Sequence, residues 1–89
     1  MAHSKSARKR IRQNVAARAR NRWRLRTMRQ AIKAYEDRLA HGTADEARDA
    51  LHTAQKAIDK TAQKGIIHRN QAARRLSRLT RDLKVKETA

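Results

Sequence analysis

The sequence predicts an all-α fold: a three-helix antiparallel bundle with a long N-terminal helix extending beyond the core. Three observations carry this. Alanine supplies 17 of the 89 residues, with no proline and only 2 glycines, a composition biased towards helix. The glycines, Gly42 and Gly65, divide the chain where other helix-end signals also fall. Within each of the three segments, apolar residues recur at alternating steps of three and four, the spacing of one helix face. Eighty-nine residues make one domain at most, expected to span 1–89.

The first helix is expected over 7–41. Its seam is Leu25, Met28, Ile32, Tyr35 and Leu39, and Gly42 follows Leu39-Ala40-His41 as a helix-terminating glycine would. The seam stops upstream: the same steps back from Leu25 land on Asn21, Arg18 and Asn14, all polar. Ile11, Val15, Ala19 and Trp23 run at i, i+4 and drift away from the core face. At about 1.5 Å per residue the helix is a rod of about 50 Å with only its C-terminal half packed.

The second helix is expected over 44–64. Thr43-Ala44-Asp45-Glu46 has the form of a capping box. Its seam is Ala47, Leu51, Ala54 and Ile58, and Gly65 closes it after Lys60 and Lys64, cations suited to a helix C-terminus. The third is expected over 69–85, capped by Asn70 or His68, with Ala72, Leu76, Leu79 and Leu83 as its seam. Short turns between narrow seams give an up-down-up bundle. No internal repeat is visible.

Charge points to function. Twenty-four Lys and Arg against 8 Asp and Glu give a formal net charge of +16, which calls for a polyanionic partner. Residues 1–35 hold 12 cations and no acid, residues 36–59 hold 3 and 6, and residues 60–89 hold 9 and 2. Leu, Ile, Val and Phe total only 13 of 89 residues, close to the composition of disordered chains. The expectation is a helical protein with a thin core, fully ordered once its charge is neutralised.

Much is excluded. Without cysteine there is no disulfide or thiolate chemistry. No apolar run approaches the roughly 20 residues of a membrane span, and the basic N-terminus is followed by no apolar stretch of a secretory signal. A cytoplasmic protein is expected. No glycine-rich loop is present to cradle a nucleotide. His3, His41, His52 and His68 fall in different segments without metal-ligand spacing, and Asp45, Glu46 and Asp49 are explained by capping and the helix dipole. Neither an enzyme nor a cofactor, metal or small-molecule substrate is expected.

Arg18, Arg20, Arg22, Arg24 and Arg26 alternate with Ala19, Asn21, Trp23 and Leu25. Alternation suits a strand, but no other segment could pair with it. On a helix, Arg18, Arg22, Arg26, Arg29 and Lys33 form one stripe, with Arg20 and Arg24 on the far flank of the seam. Lys5, Arg8, Lys9, Arg10 and Arg12 surround the axis. A rod basic on every side suits a site enclosed by phosphates, which arginine's planar fork binds bidentately. Ordinary solvated helices mix charge signs instead, and a membrane-surface helix needs a broader apolar face than Ile11, Val15 and Trp23 provide. On the third helix, Arg74, Arg75, Arg78 and Arg81 are expected to project away from the leucine seam, with His68, Arg69 and Asn70 at its start. Trp23 is open to two readings, stacking on a base or packing on a neighbouring side chain.

Lys5-Ser6-Ala7-Arg8-Lys9-Arg10 and the stretch from Lys64-Gly65-Ile66-Ile67 through His68-Arg69-Asn70-Gln71-Ala72-Ala73-Arg74 resemble the bacterial small-subunit ribosomal protein twenty family. Arg29, Ile32 and Lys33 fit that family's middle pattern, and the likeness covers essentially the whole chain. It departs at Gln71, where the family usually has a cation, and at Trp23 and Leu25. The resemblance implies a three-helix bundle whose first helix inserts into small-subunit ribosomal RNA and supports subunit assembly. It implies RNA contacts at Lys5, Ser6, Arg8, Lys9, Arg10, His68, Asn70 and Arg74. The expected partners are that RNA and other ribosomal components, in the cytoplasm, with no membrane and no homo-oligomer. The alternative is a basic helical protein that compacts DNA, which charge alone allows equally.

Overall fold

The computed structural model describes residues 4–89, so His3 lies outside it. It consists of α1 (Lys5–His41), α2 (Ala44–Gln63) and α3 (Arg69–Thr88), with no strand among the described residues.

Helix α1 begins two residues earlier than its apolar pattern indicates, because Ser4 caps it. The Ser4 hydroxyl accepts from the Ala7 N–H at 3.1 Å and its carbonyl from the Arg8 N–H at 3.1 Å. The helix ends where the Gly42 N–H donates to the Arg38 carbonyl at 2.8 Å. Gly42 ends α1 in an extended conformation and not in a left-handed turn. Its φ is −99°, and a Cβ there would lie 3.0 Å from the Arg38 carbonyl oxygen and 3.3 Å from its Cα.

The capping box forms as the sequence specifies. The Thr43 hydroxyl accepts from the Glu46 N–H at 3.2 Å, and the Glu46 carboxylate accepts from the Thr43 N–H at 3.5 Å. These Thr43 donors, joined by the Arg38 guanidinium at 2.6 Å, hold the Glu46 carboxyl below the usual carboxylate range. Helix α2 stops at Gly65, whose φ of 75° is left-handed. The Ile66 N–H reaches back to the Thr61 carbonyl at 3.1 Å and the Gly65 N–H to that of Ala62 at 2.9 Å, a Schellman closure that glycine adopts most cheaply.

Of the two candidate caps for α3, His68 takes the role, its Nδ1 accepting from the Asn70 N–H at 3.1 Å. The helix continues three residues past the expected end. Its last turn is held by Lys86 Nζ donating to the Leu39 carbonyl at 2.9 Å and by Arg48 bridging to Glu87 at 2.8 Å.

The core comprises Met28 and Tyr35 of α1, Ala47, Ala54, Ile58 and Thr61 of α2, and Ala72, Leu79 and Leu83 of α3, with Ile67 closing the α2–α3 turn. Leu25, Ile32, Leu39, Leu51 and Leu76 are half-buried around it. Ile67 and Thr61 fall outside the seams read from the sequence. Helix α2 packs on both neighbours, most extensively on α1. Helices α1 and α3 are tied mainly by side chains: the fully buried Tyr35 donates its hydroxyl to the Leu79 carbonyl at 2.5 Å. Burial, reinforced by Asp82, pushes the Tyr35 phenol up to about 12.

Upstream of Trp23, α1 leaves the bundle. Over residues 5–22 every residue is exposed except Ala7 and Ala17, which are half-buried. The result is an elongated molecule of 63 × 23 × 16 Å.

Candidate nucleic-acid interface

Helical geometry arrays the cations of α1 as the sequence predicts. Lys5, Arg8, Lys9, Arg10 and Arg12 encircle the tip beside exposed Ser6, and Arg18, Arg20 and Arg22 continue along the rod. Arg22, Arg26 and Arg29 flank a shallow depression with Leu25 and Gln30, and Lys33 lies one turn further on. The first turn of α1 contains no acid to complement its dipole. The positive end of the helix and its cations thus add, which favours an anion there.

None of these cations is in an ion pair. Among the described residues the salt bridges are Arg38–Glu46 at 2.6 Å, Arg48–Asp45 at 2.8 Å and Arg48–Glu87 at 2.8 Å. The two carboxylates facing it hold the Arg48 guanidinium above its usual range, Glu87 first. All three bridges lie where α1 turns into α2 and α3 ends, the far end from the rod. Meanwhile Lys5/Lys9, Arg8/Arg12, Arg18/Arg22, Arg20/Arg24, Arg22/Arg26 and Arg29/Lys33 are like-charge neighbours at i, i+4. At about 0.2–0.5 kcal/mol each, these six pairs cost α1 about 1–3 kcal/mol in the absence of counter-charge.

Helix α3 presents the second basic surface. Arg69, Asn70, Arg74, Arg78 and Arg81 are exposed. Arg75 corrects the expectation that it projects with them. It is half-buried, its Nε is buried without a partner, and it lines a polar notch with Gln71, Arg74 and Arg78. A buried donor left unpaired is costly. The capping bond commits His68 Nδ1 as an acceptor, leaving Nε2–H as the imidazole's donor. Arg24 is also half-buried, beside Trp23 and Lys60 of α2. From the sequence, Lys60 reads only as a helix-end cation; its place next to Trp23 depends on the α1–α2 register, which no local pattern encodes.

No group of histidines and carboxylates gathers as a metal site among the described residues, and no helix is long and apolar enough to cross a membrane. A rod of unpaired cations rooted in a small bundle defines a polyanion-binding protein. The chain belongs to the family described as Ribosomal protein S20, whose sequence pattern matches residues 2–84. It is 47% identical over 81 residues to the small ribosomal subunit protein bS20 of Geobacter sulfurreducens, covering 91% of this chain and 93% of that one. The protein of the same name from Solidesulfovibrio magneticus is 52% identical over 80 residues, covering 90% of each. That from Desulforapulum autotrophicum is 46% identical over 83 residues, covering 93% of this chain and 99% of its own.

Proposed function

We propose that this protein is a structural constituent of the small subunit of the cytoplasmic ribosome, not an enzyme, and that it binds small-subunit ribosomal RNA directly as a monomer and supports subunit assembly. One observation carries the binding mode: residues 5–33 hold 12 cations, none paired with an acid.

The rod is basic on all sides, so it fits between RNA helices whose phosphates crowd around it. Lys5, Arg8, Lys9, Arg10, Arg12, Arg18, Arg20 and Arg22 would neutralise backbone that otherwise keeps those helices apart, with Ser6 donating at the tip. Arg24, Arg26, Arg29 and Lys33 extend the contact to the root of the rod. His68, Arg69, Asn70, Arg74, Arg75 and Arg78 give α3 a second phosphate surface, so two RNA segments are held at a fixed separation. Such contacts read the shape of RNA more than its sequence.

Sedimentation of the protein with the small ribosomal subunit in cell extract, and retention on small-subunit ribosomal RNA against duplex DNA competitor, tests this reading. Sedimentation with the nucleoid and equal competition by DNA would replace it with DNA compaction.

A further inference from the structure

We propose that the notch between α1 and α2 beside Trp23 receives one unpaired nucleobase, stacked on the indole, with its flanking phosphates held by Arg24 and Lys60. The inference rests on the RNA-binding function above and names a contact within it.

Trp23 is the only tryptophan, and it is 64% exposed in a chain with few large apolar side chains. The other aromatic, Tyr35, is fully buried. Trp23 therefore contributes little to the core and holds a large flat surface towards solvent at the point where α1 leaves the bundle. The notch beside it has a volume of about 290 Å³ and is lined by Trp23, Arg24, Thr27, Ala57, Lys60 and Thr61. That is just below the range for drug-sized ligand sites, in keeping with a single base.

The lining chemistry selects the occupant. The Thr27 hydroxyl donates to the Trp23 carbonyl at 2.9 Å and the Thr61 hydroxyl to that of Ala57 at 2.7 Å. Both hydroxyl protons are committed, and Ala57 is apolar, so the walls offer an apolar surface and no base-specific donor from these groups. Recognition is by stacking, which every base can satisfy. Arg24 and Lys60 flank the indole, and neither is in an ion pair among the described residues. Two cations around an exposed ring match an anionic backbone carrying a flat base, whereas an apolar peptide would leave them desolvated without partners. Paired bases in an A-form duplex are stacked in the helix and cannot present a face, so the base must come from a loop, bulge or junction.

Because Trp23 is the sole tryptophan, its fluorescence reports on this notch alone. Purified small-subunit ribosomal RNA is titrated into the full-length protein while indole emission and gel-shift binding are read on the same samples. Quenching that saturates together with binding is expected, since a stacked base quenches indole emission. Trp23→Ala should weaken binding about 5- to 150-fold, on the usual contribution of a base stacked on an aromatic ring, and Trp23→Phe should retain most of the affinity. Lys60→Ala should reduce the quenching at saturation. Full binding with unchanged or brighter, blue-shifted emission would overturn the proposal and leave the ribosomal function standing. Equal affinity of Trp23→Ala and the parent would do the same. Absence of gel-shift binding by the parent would overturn both.

Discussion

If the rod carries most of the RNA contact, removing it should change the salt dependence of binding more than any other deletion of similar size. Residues 5–22 hold eight cations, all exposed and none in an ion pair. Each phosphate neutralised lowers the slope of log K against log salt by roughly 0.7–0.9. Deleting residues 1–22 should therefore reduce the slope by about 6–7 if all eight contact phosphate, and by about 3 if half do. Over a rise from roughly 50 to 200 mM salt, the parent should lose about 4,000- to 16,000-fold more affinity than the truncated chain in the first case and about 60-fold more in the second. The truncated chain should remain helical by circular dichroism, because the core begins at Leu25 and Met28. Replacing Arg74, Arg75 and Arg78 together should lower the slope by at most about 3 on the same arithmetic. The assay is a titration of small-subunit ribosomal RNA at several salt concentrations. A truncated protein that keeps the full slope would show that the rod is not the binding element.

Three further outcomes are expected. Without RNA, amides of residues 5–22 should exchange fast, since nothing but local helix protects them and like-charge pairs oppose it; slow exchange throughout that stretch would contradict the unpartnered rod. Leu79→Asp should cost several kcal/mol by burying an unpaired carboxylate, while Arg78→Ala should move thermal stability by less than about 0.5 kcal/mol and weaken RNA binding; equal melts would refute the core assignment of α3. The sole tyrosine should titrate near 12 in the folded protein and near about 10 in denaturant. Because the folded value is the higher, the stability Tyr35 contributes is present below about pH 10 and lost as pH rises through its folded value; an ordinary folded midpoint would mean that the phenol is not buried beside Asp82.

What was legible in the sequence follows from what is local. The three helices, the Thr43–Glu46 box and the leucine seams each depend on residues within a few positions of one another, and the structure places them as expected. The misread details are of two kinds, the backbone geometry of the turns and the packing of distant parts of the chain. Gly42 has no positive φ; a Cβ there would sit 3.0 Å from the Arg38 carbonyl oxygen, a close contact that the neighbouring turn would have to yield to. Ile67 enters the core because the left-handed Gly65 turns it inward, although it belongs to no helical period. Arg75 is half-buried where helical phase alone would leave it exposed beside Arg74 and Arg78. The Trp23–Lys60 neighbourhood needs the α1–α2 register. At the candidate interface, the exposure of most α1 cations could be read from the sequence because none of them needs a partner within the chain.

The acids decide where along the molecule its charge is left uncancelled. Glu46, Asp45 and Glu87 are spent on Arg38 and Arg48, which tie α1 to α2 and α2 to α3 at the closed end. Exposed pairs of this kind contribute little each to stability, so their larger effect is on the distribution of charge. They cancel cations where the bundle is already held by Tyr35, Leu79 and Leu83, and leave those of α1 uncancelled upstream. The molecule is thus polarised along its 63 Å axis, and a polyanion's field would draw it in rod first. That polarity also sets the order of events. The bundle needs no RNA to bury its core, whereas α1 carries about 1–3 kcal/mol of like-charge repulsion that salt screens in part and bound phosphates relieve. Binding would therefore complete the helix at the same step as it brings the RNA strands together, and the energy of ordering the rod would be drawn from the counterions that the RNA releases.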